Sequence, residues 1–395
     1  MAPSTLEDLI ASGVRGQRVF VRADLNVPLS GDGIGDDTRI RASLPTLRRL
    51  GAAGARIVLA SHLGRPKGEA KANLSLHPVA RRLAELLGRP VAFAPDCVGA
   101  EVEAAVQALG DGEFLMLENL RYHAGEEKND PEFARQLARL ADVYVNDAFG
   151  TSHRAHASTV GMVEHVGRVA AGDLLRSELE HLDVILHPER PLLCLLGGAK
   201  VSDKLAVLEA LAPHADVLAI GGAMAYTFLA ARGEATGESL VEADRVDEAR
   251  RVVAAAEAAG RKLLLPVDHV IAQRLEAGVL TRVEKSIPDG WMGLDIGPET
   301  AALYAAEARN AKTVLWNGPM GVFEIDAFAK GTEIVAKGVA ESAAISVVGG
   351  GDSLAAINQL SLGDKIGHLS TGGGASLEYV QGLQLPGVAA LERGR

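Results

Sequence analysis

Ten short apolar runs, each followed by a polar or glycine-rich turn and then a helix-length segment, constrain this chain more than any other feature. In the first half they are residues 18–23, 56–61, 91–95, 114–117 and 142–146. In the second half they are 192–196, 216–220, 262–266, 312–316 and 344–348. Runs of about four to six residues rich in Val, Leu and Ile predict strands buried on both faces. Segments such as 78–87, 244–259 and 298–310 supply the helices that would bury them. This alternation predicts the α/β class, with parallel sheets covered by helices on both sides.

At about 150 residues per domain, 395 residues suit two or three domains. Between the two sets of runs lies 172–187, with Leu174, Leu175, Leu179, Leu182, Ile185 and Leu186 spaced for one helix face. Pro188 and Pro191 close it. It reads as a helix joining two α/β units, either a lever between them or one more packing helix. Domains are therefore expected at 1–172 and 188–380, joined by a helix over 173–187.

A hydrophobic share of 48% suits a packed globular chain. The net charge of −11 argues against a general binder of nucleic acid or anionic membranes. Cys97 and Cys194 form no CxxC pair, which points to a reducing, cytoplasmic setting. The first residues carry acids where a signal peptide would carry bases. The longest uncharged run, 217–231, is shorter than a membrane span and is broken by Gly221-Gly222.

In open parallel sheets ligands bind beyond the carboxyl ends of the strands. In the first half these ends carry Asp24 and Asn26, then His62 and Arg65, then Arg121, then His153, Arg154 and His156. Arg39 follows a glycine-rich loop after the first run. One arginine at a strand end is ordinarily a surface charge. Several at one end of successive strands suit bidentate binding of carboxylate and phosphate, hence a small polyanion.

The second half presents backbone in place of side chains. Its loops are Gly197-Gly198-Ala199-Lys200, Gly221-Gly222, Asn317-Gly318-Pro319-Met320-Gly321, Gly349-Gly350-Gly351-Asp352-Ser353 and Thr371-Gly372-Gly373-Gly374. Such glycines either make tight turns or let N–H groups approach a phosphate at a helix start. Five in one domain favour a nucleotide. Asp352 is either a helix N-cap or a contact to Mg²⁺ carried by nucleotide phosphates. Lys200 and Lys204, four apart, are expected on one face of a helix start, where an anion would offset their charge. No GxxxxGK[ST], no HExxH and no correctly spaced GxGxxG occurs, nor any cysteine–histidine array in the first half. A polyanion half and a nucleotide half suggest phosphoryl transfer across a cleft that closes to exclude water. A nicotinamide-dependent dehydrogenase would need the missing GxGxxG, whereas a non-catalytic metabolite binder could share the fold.

In this order the motifs resemble those of phosphoglycerate kinases. They include VRADLNVPL (21–29), DDTRI (36–40), SHLGRP (61–66), ENLRYH (118–123), NDAFGTSHRAHAS (146–158) and GGAKVSDKL (197–205). GGAMAYTFL (221–229), LPVD (265–268), GLDIGPET (293–300), WNGPMGVFE (316–324), GGGDS (349–353) and STGGGASLE (370–378) follow. The resemblance implies two doubly wound, parallel-sheet (Rossmann-like) domains facing a cleft, with a tail, 381–395, returning to the first. It implies transfer from 1,3-bisphosphoglycerate to Mg-ADP, giving 3-phosphoglycerate and ATP, by a monomer without nucleic-acid or membrane partners. Asp24, Asn26, Arg39, His62, Arg65, Arg121 and Arg154 would bind 3-phosphoglycerate. Lys200 and Arg39 would act on the phosphoryl group in flight, and Lys204 on nucleotide phosphate. Gly293 would line the adenine pocket and Glu324 would meet the ribose. Gly350, Gly351, Asp352 and Ser353 would surround the phosphates and Mg²⁺, and Gly372, Gly373 and Gly374 would complete an anion cradle. Ser353 stands where many members carry Thr, which keeps the hydroxyl.

Overall fold

The computed structural model describes residues 3–31 and 33–393. Met1 and Ala2, Asp32 of the glycine-rich loop, and Gly394 and Arg395 of the tail lie outside them. The chain divides into two compact units, Met1–Glu180 with Gln384–Arg395, and His181–Leu383. The first division falls inside the helix Asp173–Leu186, eight residues beyond the expected 172/173 boundary, and the second falls at 383/384 in place of 380/381.

In the first unit the strands are β1 (Arg18–Ala23), β2 (Leu29–Ser30), β3 (Gly33–Ile34), β4 (Arg56–Ala60), β5 (Val91–Phe93), β6 (Phe114–Met116), β7 (Val143–Asp147) and β8 (Val169–Ala171). Six of them form a parallel sheet in the order β5-β6-β4-β1-β7-β8, while β2 and β3 make a small antiparallel hairpin. The central strands β1, β4 and β7 are buried along nearly their whole length, as their unbroken apolar runs require. The helix Thr38–Ala52 lays Ile40, Leu44, Leu47 and Leu50 against the sheet at helical spacing. The helix His77–Leu87 starts with proline in its first turn and stops at Gly88, whose φ of 66° a glycine adopts without strain.

The second unit repeats the plan. Its strands are β9 (Leu192–Leu196), β10 (Val217–Ile220), β11 (Lys262–Leu264), β12 (His269–Ala272), β13 (Arg282–Glu284), β14 (Met292–Ile296), β15 (Thr313–Asn317), β16 (Ile345–Gly349) and β17 (His368–Ser370). The parallel sheet runs β11-β10-β9-β15-β16-β17, and β13-β12-β14 form a separate antiparallel sheet. All ten apolar runs are strands, shifted by at most three residues at an end. The antiparallel sheet, the hairpin and the edge strands β8 and β17 carry no comparable run. β13 is exposed throughout, so its residues have no core to match.

The tail crosses back in sequence to the first unit. Leu385 and Leu391 are buried there, Gly387 N–H donates to Ser152 O at 2.8 Å, and Asn146 Nδ2 donates to Gly387 O at 3.4 Å. Among the described residues, no helix is long and apolar enough to cross a membrane.

Candidate active site

In the first sheet β6, β4, β1 and β7 are consecutive neighbours and parallel, so the segments after them share one end of the sheet. Those segments are tied to one another. Ser61 Oγ accepts the Leu25 N–H (2.9 Å), Asn26 Oδ1 accepts the Gly64 N–H (2.8 Å), and Arg121 donates to Gly64 O (2.9 Å). Asn119 Oδ1 accepts from Leu63 and Arg121 N–H, at 3.2 and 3.1 Å. Arg39, in the first turn of the helix Thr38–Ala52, pairs with the buried Asp24 carboxylate at 3.0 Å. With Arg39 also donating to Asn26 O (3.4 Å) and His62 Nδ1 4.0 Å from Asp24 Oδ1, residues Asp24, Asn26, Arg39, His62 and Arg121 form one connected group. Arg65 and Arg154 are exposed beyond it, with Arg154 Nε donating to His153 Nε2 at 3.1 Å.

Beneath this group lies an ion pair that the motif reading missed. Arg22 is fully buried; its Nε donates to Ser158 Oγ (2.8 Å), which donates to Glu126 Oε1 (2.6 Å). Arg22 and Glu126 themselves are 4.0 Å apart. An arginine inside the run VFVRA was the available signal. Burial, then Arg22, Arg121 and Arg39, hold His62 well below its ordinary pKa. Burial, then Arg22, Arg121 and Arg154, bring His156 down to about 3. Both rings are neutral at pH 7, and the field they sit in is cationic. That is the electrostatics of an anion site inside a chain of net charge −11.

In the second unit a cavity of about 560 Å³ opens beside the carboxyl ends of the strands. Gly198, Gly222 and Pro319 supply backbone on one side; Leu240, Leu275, Met292 and Leu294 form an apolar wall. Gly293, Glu324 and Asp352 all line it, three residues brought together from distant motifs. A side chain at position 293 would run into the Tyr226 ring, so only glycine fits. The apolar wall comes partly from the antiparallel sheet and was not read from sequence. In the fold, Leu240 and Leu275 are left half exposed along it.

Two readings change. Helix begins at Leu205, not near Lys200, so the two lysines share no helix face. Glu242 takes both the N–H and the hydroxyl of Ser202 (3.1 and 2.5 Å), holding the intervening segment as a turn. Lys200 is exposed, whereas Lys204 Nζ donates to Gly197 O (2.5 Å) and Asn317 O (2.6 Å), and burial lowers its pKa to about 8. Asp352 is not an N-cap: Gly350 precedes the helix Gly351–Gln359, and the Asp352 carboxylate is exposed at the cavity. The Ser353 hydroxyl is buried and accepts the Gly318 N–H at 2.6 Å, bracing the neighbouring loop.

The glycine loops divide into two kinds. A Cβ at Gly197, Gly222 or Gly318 would strike the backbone of an adjacent loop, so these glycines let the loops interlock. Gly351 and Gly373 face open space. Gly373 precedes the helix Gly374–Val380, with Gly372 beside it, leaving backbone N–H groups at a helix start.

The phosphoglycerate kinase family model matches residues 7–383. A phosphoglycerate kinase of Moorella thermoacetica is 57% identical over 394 residues, covering 99% of each chain. One of Rubrobacter xylanophilus is 57% identical over 381 residues, 96% of each. Among solved structures, the Coxiella burnetii phosphoglycerate kinase matches with a TM-score of 0.88 at 39% identity, covering 97% of this chain and 98% of that one. The Pyrococcus horikoshii enzyme matches with 0.88 at 34%, covering 99% of each. With a family model spanning nearly all of its length and relatives more than half identical from end to end, the chain belongs to the phosphoglycerate kinase family.

Proposed function

We propose that the two units hold the two substrates of one phosphoryl transfer, the first 3-phosphoglycerate and the second the Mg-nucleotide. The reaction is that of the family: reversible transfer between 1,3-bisphosphoglycerate and ADP, giving 3-phosphoglycerate and ATP in glycolysis. The carrying observation is the cationic group at the strand ends of one sheet, matched by a nucleotide-sized cavity at the strand ends of the other.

In this reading Arg39, Arg65, Arg121 and Arg154 neutralise the carboxylate and phosphate of 3-phosphoglycerate. Asp24, Asn26 and neutral His62 fix its hydroxyl and orientation by hydrogen bonds. The adenine lies against the apolar wall at Gly293, with Glu324 at the ribose and Lys204 at a phosphate. Gly350, Gly351 and Ser353 shape the phosphate loop. Asp352 offers the hard carboxylate oxygen that Mg²⁺ takes, and Mg²⁺ arriving with the nucleotide supplies charge neutralisation. Lys200 and Arg39 meet the phosphoryl group in flight, with Gly372, Gly373 and Gly374 giving N–H donors to its oxygens. Since the donor and acceptor sites belong to different units, direct in-line transfer needs a closed state that excludes water. The acidic net charge and the free, buried thiols of Cys97 and Cys194 support a cytoplasmic protein without nucleic-acid or membrane partners, and the family supports a monomer.

The test is a coupled assay of ATP formation from 1,3-bisphosphoglycerate and ADP. Arg39→Ala and Lys200→Ala are each expected to lower kcat by about a hundredfold or more while the fold is kept. Near-normal turnover in Lys200→Ala would remove that lysine from the mechanism. Tight 3-phosphoglycerate binding without ATP formation would make the protein a binder only.

A further inference from the structure

β5 and β6 are neighbours at one edge of the first sheet, and the segments beyond them carry three different metal donors. Asp96 and Cys97 follow β5, and His123 follows β6. A carboxylate oxygen of Asp96, the Cys97 Sγ and a ring nitrogen of His123 all lie within 4.8 Å of one another. Spacing along the chain could not show this, because the thiol and the imidazole sit on different strand ends.

The donors are already oriented. His123 Nε2 lies 2.5 Å from Asp96 Oδ1, and its ring stacks on Phe133 with centroids 4.8 Å apart. The Cys97 thiol is fully buried and donates to the Glu118 carbonyl at 3.0 Å. Asp96 and His123 are open to solvent at 51% and 30% of their side-chain surface, so an ion can arrive from their side with the sulfur behind them.

We propose that Asp96, Cys97 and His123 bind a thiophilic divalent transition-metal ion of the zinc class, with water completing the tetrahedron. Thiolate, imidazole and carboxylate together select such ions over Mg²⁺ and Ca²⁺, which prefer all-oxygen sites. On binding, the metal–sulfur bond forms, the S–H bond breaks, and the proton leaves to solvent. The thiolate and the Asp96 carboxylate then balance the ion's two positive charges. Without metal the thiolate is opposed: burial, then Asp96, Glu126 and Glu118, push the thiol well above its ordinary pKa. The same carboxylates attract a cation. Tetrahedral donors sit about 3.3–3.8 Å apart. Closing on an ion therefore opens the 2.5 Å Asp96–His123 contact by about 1 Å and draws Cys97 Sγ toward both. The ion would tie the segment after β5 to the segment that carries Arg121.

Co²⁺ is the spectroscopic probe, titrated into the full-length protein. One equivalent is expected to develop a thiolate-to-cobalt charge-transfer band and tetrahedral visible absorption. Cys97→Ser should abolish the charge-transfer band, His123→Ala should weaken binding at least tenfold, and Cys194→Ser should change neither. Millimolar Mg²⁺ should not displace the cobalt. Absence of the band, its survival in Cys97→Ser, or displacement by Mg²⁺ overturns the proposal. If Cys97→Ser fails to fold, His123→Ala and Asp96→Asn decide, and wild-type Co²⁺ affinity in both would overturn it.

Discussion

Arg22 sits in a strand whose neighbours are apolar, and no part of it reaches solvent. A guanidinium only donates, so His62 Nδ1, 3.3 Å from Arg22, accepts. The ring proton of neutral His62 is then left on Nε2. Arg22 thus links His62 to Ser158 and, through that hydroxyl, to Glu126. Replacing it by methionine leaves Glu126 buried without its cation, and unfolding in urea at pH 7 should show a loss of about 3–5 kcal/mol. Adding Glu126→Gln should recover part of that loss, because the stranded charge is removed. The sequence displayed Arg22 as an oddity in an apolar run, but its partners, Glu126 and Ser158, lie more than a hundred positions away. Only folding names them.

At the level of elements, the joins between strands and helices carry the proposed site and much of the electrostatics. Asp147 ends β7, and its Oδ1 accepts the Leu174 N–H (2.9 Å) at the start of the helix Asp173–Leu186. Burial pushes its carboxyl up to about 7, although that N–H pulls the other way. With the folded pKa above the unfolded one near 3.8, the folded state binds the extra proton between those values. Stability contributed by this group is therefore present below about pH 4 and is lost as pH rises toward 7. Asp147→Asn, which keeps the acceptor and cannot ionise, should flatten the decline between pH 5 and 8 by about 2 kcal/mol in urea unfolding. The interlocked glycine loops make a second element-scale prediction. Gly222 has φ 66°, and a Cβ there would meet the Gly198 backbone and the Pro319 carbonyl. Gly222→Ala should lower stability by more than about 1 kcal/mol and weaken ADP binding measured by calorimetry. The strands were legible because burial on both faces demands unbroken apolar runs. The turn at Lys200 was not, because it depends on Glu242 reaching Ser202 from another segment.

Across the whole molecule, the chain builds one unit, builds a second, and then returns to the first. The helix Pro386–Arg393 buries Ala389, Ala390 and Leu391 in the first unit, and Asn146 and Ser152 hold Gly387 there. Truncation after Leu383 should lower the calorimetric melting temperature of the first unit by several degrees and leave that of the second in place. Charge shows the same gap between chain and fold. The total of −11 describes an acidic protein, while the cations that matter converge where four neighbouring strands end together. By itself the sequence determined the two parallel sheets, the strand-end positions of the bases and glycines, and through its motifs the family. Those are local properties, set by runs, turns and residue type within a few positions. Tertiary structure alone decided the antiparallel sheet that walls the cavity, the Arg22–Glu126 pair, the parting of Lys200 from Lys204, and the meeting of Cys97 with His123. Each of these depends on contacts between segments far apart in the chain, where the neighbour that sets a side chain's environment is chosen by packing and leaves no period or spacing to read.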